Sequence, residues 1–266
     1  MKISLCFFPG GKSKALTMSY DDGPIHDRKL VAIFNKYGIR GSFHLNSGLF
    51  GDGWHINSDE VKELYKGHEI SAHTVNHPHL EYLPTEAMVE EVLEDRKNLE
   101  KLAGYIVRGM SYPFGSFNDK VLKTLPALGI EYARTVETKS WFIIPDDFLQ
   151  WPATCHHNGN LLEIGKRFLE NKSGGAPSLM YVWGHSYEFD AYNNWTIIEE
   201  FCELVGNNSN VWYATNIEIV DYINSQNLLK FSCTGSSVYN PSGVDVWISV
   251  DGKVIEVKKG CIVKLK

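Results

Sequence analysis

Short apolar runs alternate with longer amphipathic ones from Ala15 to about Asn227. Ala15–Tyr20 has the texture of a buried strand, and Asp27–Tyr37 that of a helix ended by Gly38. Strand Ile39–Leu45, a helix capped by Ser58 and running through Tyr65, and strand His68–Ala72 follow. A long helix opens at Pro84 and reaches about Ala103, with apolar positions at Met88, Val92, Leu99 and Leu102. Beyond it the pattern predicts strand Ile106–Tyr112, helix Asp119–Leu128, strand Ile130–Val136, helix Leu161–Leu169 and strand Leu179–Trp183. Helix Asn194–Val205, strand Val211–Tyr213 and a helix capped by Thr215 that runs to Ile223 complete the series. Such repetition implies an α/β fold with parallel strands joined by right-handed crossovers. No Gly-rich dinucleotide loop follows the first strand, which weakens an open Rossmann sheet against a (β/α) barrel. A barrel gathers its chemistry at the C-terminal ends of its strands, so the position of reactive residues tests the assignment.

After Asn227 the texture changes. Val244–Val250 and Lys253–Val257 flank Asp251-Gly252, a strong signal for a two-residue hairpin. Residues 228–266 therefore read as a small antiparallel β appendage packed on a main domain of residues 1–227, being too few to fold alone.

Charge and cysteine content narrow the function classes. The net charge of −6 offers no basic field for nucleic acid or an anionic membrane, so both partners are set aside. The five cysteines are scattered, without a Cys-x-x-Cys pair, which disfavours a disulfide framework and a thiolate metal site. The apolar run at the N-terminus is only about six residues and ends in Pro9-Gly10-Gly11, short of a signal-peptide core. No run approaches the ~18 apolar residues that span a bilayer. These features point to a cytoplasmic protein.

Four polar clusters fall at the ends of predicted strands. In Thr17-Met18-Ser19-Tyr20-Asp21-Asp22-Gly23-Pro24, two carboxylates end a strand and Gly-Pro turns the chain. Two acids in one pocket repel unless a cation separates them, and a metal would take one as ligand and leave the other as a base. In Ser71-Ala72-His73-Thr74-Val75-Asn76-His77-Pro78, Pro78 disfavours a helix at His77, so a tight loop is expected. Two imidazoles and one carboxylate suit zinc, cobalt or nickel and leave positions for water. His68 and His79 read as structural or solvent-facing. The loop Ser111-Tyr112-Pro113-Phe114-Gly115 can aim backbone N–H groups into a pocket, though alone it reads as an aromatic turn. In Trp183-Gly184-His185, the ring is placed to emerge at a barrel mouth, although by itself it reads as a structural histidine. The run Trp151-Pro152-Ala153-Thr154-Cys155-His156-His157-Asn158 suggests a wall of a substrate pocket, with Trp151 and His156 lining it; a structural role is the alternative.

These segments resemble, in order, the motifs of the polysaccharide deacetylase family, also called carbohydrate esterase family four. Ser19-Tyr20-Asp21-Asp22-Gly23 is similar to its Thr-Phe-Asp-Asp-Gly motif, and His73-Thr74-Val75-Asn76-His77 matches its His-Ser/Thr-x-x-His motif. Tyr112–Asn118 resembles part of its third motif, and His185 the histidine of its last. The resemblance implies a distorted barrel of seven or eight units and one divalent ion, zinc foremost, on Asp22, His73 and His77. It implies Asp21 as general base, His185 as general acid and the Phe114 N–H as oxyanion donor, with Tyr112 beside it. The arginine that opens the family's third motif is replaced by Ser111, leaving Arg108 and Arg134 as candidates for its task. The aspartate of its fourth motif has no clear counterpart. The expected activity is removal of acetyl groups, chiefly N-acetyl, from a small amino sugar or oligosaccharide. Hydrolysis of another non-peptide amide and a non-catalytic carbohydrate-binding role are the competing readings.

Overall fold

The computed structural model describes residues 1–171 and 175–265. A two-residue strand β1 (Ile3–Ser4) precedes β2 (Lys14–Asp22), α1 (Asp27–Lys36), β3 (Gly41–Leu45), the one-turn helix α2 (Val61–Leu64), β4 (Glu69–Ala72) and α3 (Thr85–Ala103). Then come β5 (Gly109–Ser111), α4 (Asp119–Thr124), β6 (Tyr132–Thr138), β7 (Trp151–Ala153), β8 (Cys155–His156) and α5 (Leu161–Glu170). The main domain ends with β9 (Ser178–Gly184), α6 (Tyr187–Ala191), α7 (Trp195–Val205), β10 (Val211–Tyr213) and α8 (Asn216–Asn227).

Nine strands, β2 to β10, form one sheet whose pairings are all parallel, in the order β7-β6-β5-β4-β3-β2-β9-β8 with β10 beside β2. The two ends of that order, β7 and β8, are separated in the chain by Thr154 alone, whose N–H donates to the Tyr181 carbonyl of β9. A single kinked stretch thus closes the sheet into a distorted (β/α) barrel, as expected.

Period-two alternation sorts the side chains. Leu16, Met18 and Tyr20 of β2, Phe43 and Leu45 of β3, Ile70 and Ala72 of β4, and Met180 and Val182 of β9 join the main apolar core with α1, α3, α5 and α7. Their neighbours make an interior polar network. Ser42 and Tyr132 donate to Glu69, Thr17 donates to Asn216, and the Asn216 amide donates to the Tyr181 hydroxyl. The N-terminus of α8 plugs the barrel floor, with the Ile217 N–H donating to the Glu69 carboxylate. Its capping box, Thr215 with Glu218, fixes where that helix starts.

Several boundaries differ from expectation. The helix predicted from Ser58 is only the single turn α2, preceded by a turn in which the Glu60 carboxylate accepts from the Asn57 N–H and the Arg28 guanidinium. The predicted helix to Leu128 breaks at Thr124 into a tighter turn over Leu125–Leu128, where Pro126 lacks an N–H. Strands β7 and β8 and helix α6 were not legible: two or three strand residues show no period.

The C-terminal strands are β11 (Lys230–Phe231), β12 (Ser237–Tyr239), β13 (Val246–Val250), β14 (Lys253–Val257) and β15 (Ile262–Lys264). β13 and β14 form the antiparallel hairpin on Asp251-Gly252, both at positive φ as a type I′ turn demands. β1 adds to the free edge of β13, so that sheet draws on both ends of the chain.

Candidate active site

The C-terminal end of β2 carries both acids. Alternation sends Asp21 into the barrel and would send Asp22 out. A left-handed φ of 74° at Asp22, followed by Gly23 at 68°, turns the second carboxylate back toward the first. Gly23 suits this bend, since a Cβ there would also fall 2.8 Å from the Leu45 side chain. Thr74, His77 and Phe114 are likewise non-glycine residues at positive φ. Such backbone costs free energy and persists where the surroundings over-determine it, which is typical of binding and reaction sites.

His73 and His77 follow β4 in a tight loop, as the proline predicted. The loop is held from below: Asn46 donates to the His73 and Thr74 carbonyls, and Asp95 of α3 accepts the His73 and Ser47 N–H groups. The His73 Nδ1 lies 2.9 Å from the Ser111 carbonyl and 2.7 Å from the Ser111 hydroxyl, which hold a proton on Nδ1 and turn Nε2 to the site. That Nε2 is 3.4 Å from Asp22 Oδ1, and His77 Nε2 is 3.7 Å from the same oxygen. All three donor atoms lie within 4.8 Å of one another, and buried Asp22 Oδ1 has no hydrogen-bond partner among the described residues. This is a donor set that fits one small divalent cation: two imidazoles and a carboxylate converging on an unsatisfied oxygen.

Asp21 is buried and differently served. Ser111 Oγ donates to its Oδ1 at 3.1 Å, and Arg134 of β6 donates to Oδ2. Burial works to raise its pKa, yet the Arg134 guanidinium and the nearby imidazoles hold it well below the usual carboxylate range. Arg134 is itself fully buried, its guanidinium 4.4 Å over the Trp183 ring. Arg108, the other arginine considered, pairs with Asp221 and Glu131 and stays away from Asp21.

His185 follows β9. Its Nε2 is 3.9 Å from Asp22 Oδ2, and its Nδ1 is 3.2 Å from Glu188 Oε1. Burial lowers its pKa, but Glu188, Asp21 and Asp22 outweigh burial and raise it. Glu188 was missed in the sequence, where only its i+3 spacing from His185 could have suggested it.

Phe114 lies at the rim, exposed, with its ring stacked on His79 at 3.9 Å and edge-on to His77 at 4.5 Å. Two expected pocket residues are placed elsewhere. Tyr112 is buried, its hydroxyl donating to the Leu149 carbonyl at 2.8 Å, so only its backbone adjoins the site. Trp151 is 1% exposed and packs in the core against Tyr181 and Phe148, where inward alternation on β7 places it. His156 is half-buried beside Glu188, at 3.1 Å. His68 is structural, accepting the Gly41 N–H, and His79 is at the surface under Phe114.

Residues 9–133 match the family model described as polysaccharide deacetylase, a span that contains both acids and the His73–His77 loop. Over that span, just under half of its length, the chain resembles the polysaccharide deacetylase family. Among curated members, it is 31% identical over 120 residues to a chitin deacetylase of Arthroderma benhamiae, covering 42% of this chain and 31% of that protein. It is 24% identical over 132 residues to the peptidoglycan-N-acetylglucosamine deacetylase PgdA of Listeria monocytogenes, covering 48% of this chain and 27% of that one. The chain thus spans less than half the length of these curated deacetylases. A solved structure from Mycobacterium smegmatis, described as a polysaccharide deacetylase, superposes with a TM-score of 0.65 at 17% identity, over 85% of this chain and 95% of that one. That likeness extends the deacetylase fold across the barrel. The family match stops one residue before Arg134, and His185 and Glu188 lie beyond it.

Proposed function

We propose that the protein is a metal-dependent hydrolase that removes N-acetyl groups from an amino sugar or oligosaccharide. The observation that carries this is the convergence of Asp22, His73 and His77 beside a separately held, ionised Asp21. A divalent ion of the zinc kind, bound by Asp22, His73 and His77, would polarise an amide carbonyl and lower the pKa of water.

The chain's own groups supply the rest. Asp21, held ionised by Arg134, is an acceptor beside the donor set and is assigned the proton of the attacking water. Arg134 and Ser111 hold it still. The water oxygen bonds to the carbonyl carbon, and the Phe114 N–H is assigned to the charge that develops on the carbonyl oxygen. His185 gives a proton from Nε2 to the amine nitrogen as the C–N bond breaks, leaving acetate and a free amine. The named relatives, by their names, act on chitin and on peptidoglycan N-acetylglucosamine, which makes N-acetylglucosamine oligomers the first substrates to try. All five cysteines are unpaired, which suits a reducing compartment such as the cytoplasm and a small diffusible sugar. Among the described residues no helix is long and apolar enough to cross a membrane.

The test is acetate release from such oligomers by metal-stripped protein with zinc or cobalt restored. Asp22→Ala and His73→Ala should lose both bound ion and activity. Asp21→Asn should keep the ion and lose about 10²-fold or more in kcat. Full metal content and full activity in both Asp22→Ala and His73→Ala would overturn the reading.

A further inference from the structure

Beside the acids, three imidazoles meet one carboxylate. Glu188, in the first turn of α6, has Oε2 at 3.1 Å from His156 Nε2 and 3.0 Å from His157 Nε2, and Oε1 at 3.2 Å from His185 Nδ1. His156 and His157 lie at and just after β8, the strand paired with β9 that leads into His185.

Proton positions follow from the partners. His156 Nδ1 accepts the Asn158 N–H at 3.2 Å, so its own proton sits on Nε2, facing Glu188. His157 is fully buried, between Tyr20 at 5.7 Å and Phe189 at 4.1 Å, and among the described residues neither ring nitrogen completes a hydrogen bond, Glu188 being the anion nearest Nε2. Its slot exists because residue 184 is glycine: a Cβ there would lie 2.0 Å from His157 Nδ1. A buried neutral imidazole beside an anion puts its one N–H toward that anion. Both imidazoles thus turn Nε2 toward Oε2, at ion-pair distance. Glu188 ionised accepts only, so the His185 Nδ1 must donate to Oε1, and His185 Nε2 is turned to the Asp22 side. His156, His157 and Glu188 also have the spacing of a metal site. An ion there would have to displace the Nε2 proton of His156, whose Nδ1 already accepts the Asn158 N–H.

We propose that Glu188, clamped by His156 and His157, is the positioning residue for His185: it fixes the ring's orientation and tautomer so that Nε2 faces the reacting atoms. This rests on the reading of His185 as proton donor. The clamp lies outside the span matched to the family, and Glu188 comes from the helix following the histidine it holds.

A double-mutant cycle on the zinc-loaded protein separates the two ideas. Glu188→Ala should lower kcat about 10²-fold, with KM within about twofold and one ion per chain retained, as for loss of an oriented acid. In a His185→Asn background the same change should alter kcat less than about twofold. Glu188→Gln, of equal size, controls for folding. A histidine ring-nitrogen NMR spectrum should show a hydrogen-bonded Nδ1–H that disappears in both Glu188→Ala and His185→Asn, and this readout needs no substrate. Full kcat in Glu188→Ala with a crippled His185→Asn would overturn the proposal alone, as would independent, additive losses. An active His185→Asn would instead overturn the assignment of the acid. Two ions per chain, or a His185 protonated only on Nε2, would also refute the clamp.

Discussion

Asp21 and Arg134 are both buried, and neither could remain so alone. A carboxylate taken out of water is tolerable here because a guanidinium and a hydroxyl replace its hydration. Removing one partner leaves the other charge uncompensated. Arg134→Met, nearly equal in length, should therefore destabilise the protein by about 3–5 kcal/mol. Urea unfolding measures it, and a change below about 1 kcal/mol would mean that water or a shifted Asp21 pKa relieves the charge. Arg134 was one of two candidates in the sequence, and only position decides between them. Arg108 ends up at the opposite end of the barrel with Asp221. Four non-glycine residues at positive φ, Asp22, Thr74, His77 and Phe114, also stand at or beside the donor set. Aspartate and histidine adopt left-handed backbone more readily than most residues, but Thr74 and Phe114 do not, and there it is imposed by the turns that bring the donors together.

At the scale of elements, each strand divides its residues between two environments. Outward positions meet helices and inward positions meet the polar network, so both classes are buried and the strands read simply as buried. β5 shows how tightly the inner layer is filled. A Cβ on Gly109 would fall 2.0 Å from the Tyr132 ring, whose hydroxyl is held by Glu69 and Ser71. Gly109→Ala should thus lower stability by about 1–3 kcal/mol, the usual cost of overpacking, seen as a reduced Tm. An unchanged Tm would show that Tyr132 can swing aside without losing its bonds. The same element carries Ser111 to Asp21, so Gly109→Ala should also impair whatever activity the site has.

For the whole molecule, buried carboxyls tie stability to pH. Asp27, at the start of α1, receives hydrogen bonds from Ser186 and Tyr65, yet burial pushes its pKa from 3.8 to about 7. The folded state then holds a proton that the unfolded chain releases between about pH 4 and 7. This stabilisation is complete below about pH 4 and is lost as pH rises through about 7. Burial likewise raises Asp95, to about 7, with the same sign. Asp27→Asn, uncharged at every pH, should show a smaller fall in urea midpoint from pH 5 to pH 8 than the parent protein. An identical fall in both proteins would mean that Asp27 ionises in the folded state at its ordinary pKa. Closure of the barrel by Thr154 and pairing of β1 with β13 act at this scale too, joining segments distant in the chain.

The sequence by itself determined the α/β class, most strand and helix positions, the hairpin at Asp251-Gly252 and the two motifs that carry Asp21, Asp22, His73 and His77. These are local signals: periodicity, turn residues, and side chains set close together in the chain. Tertiary structure alone decided that Arg134 serves Asp21, that Glu188 serves His185, that Trp151 is core and that β7 and β8 close the barrel. Each of these depends on which strands become neighbours, and a pairing between residues 113 positions apart, as for Asp21 and Arg134, leaves no trace in the period of either segment.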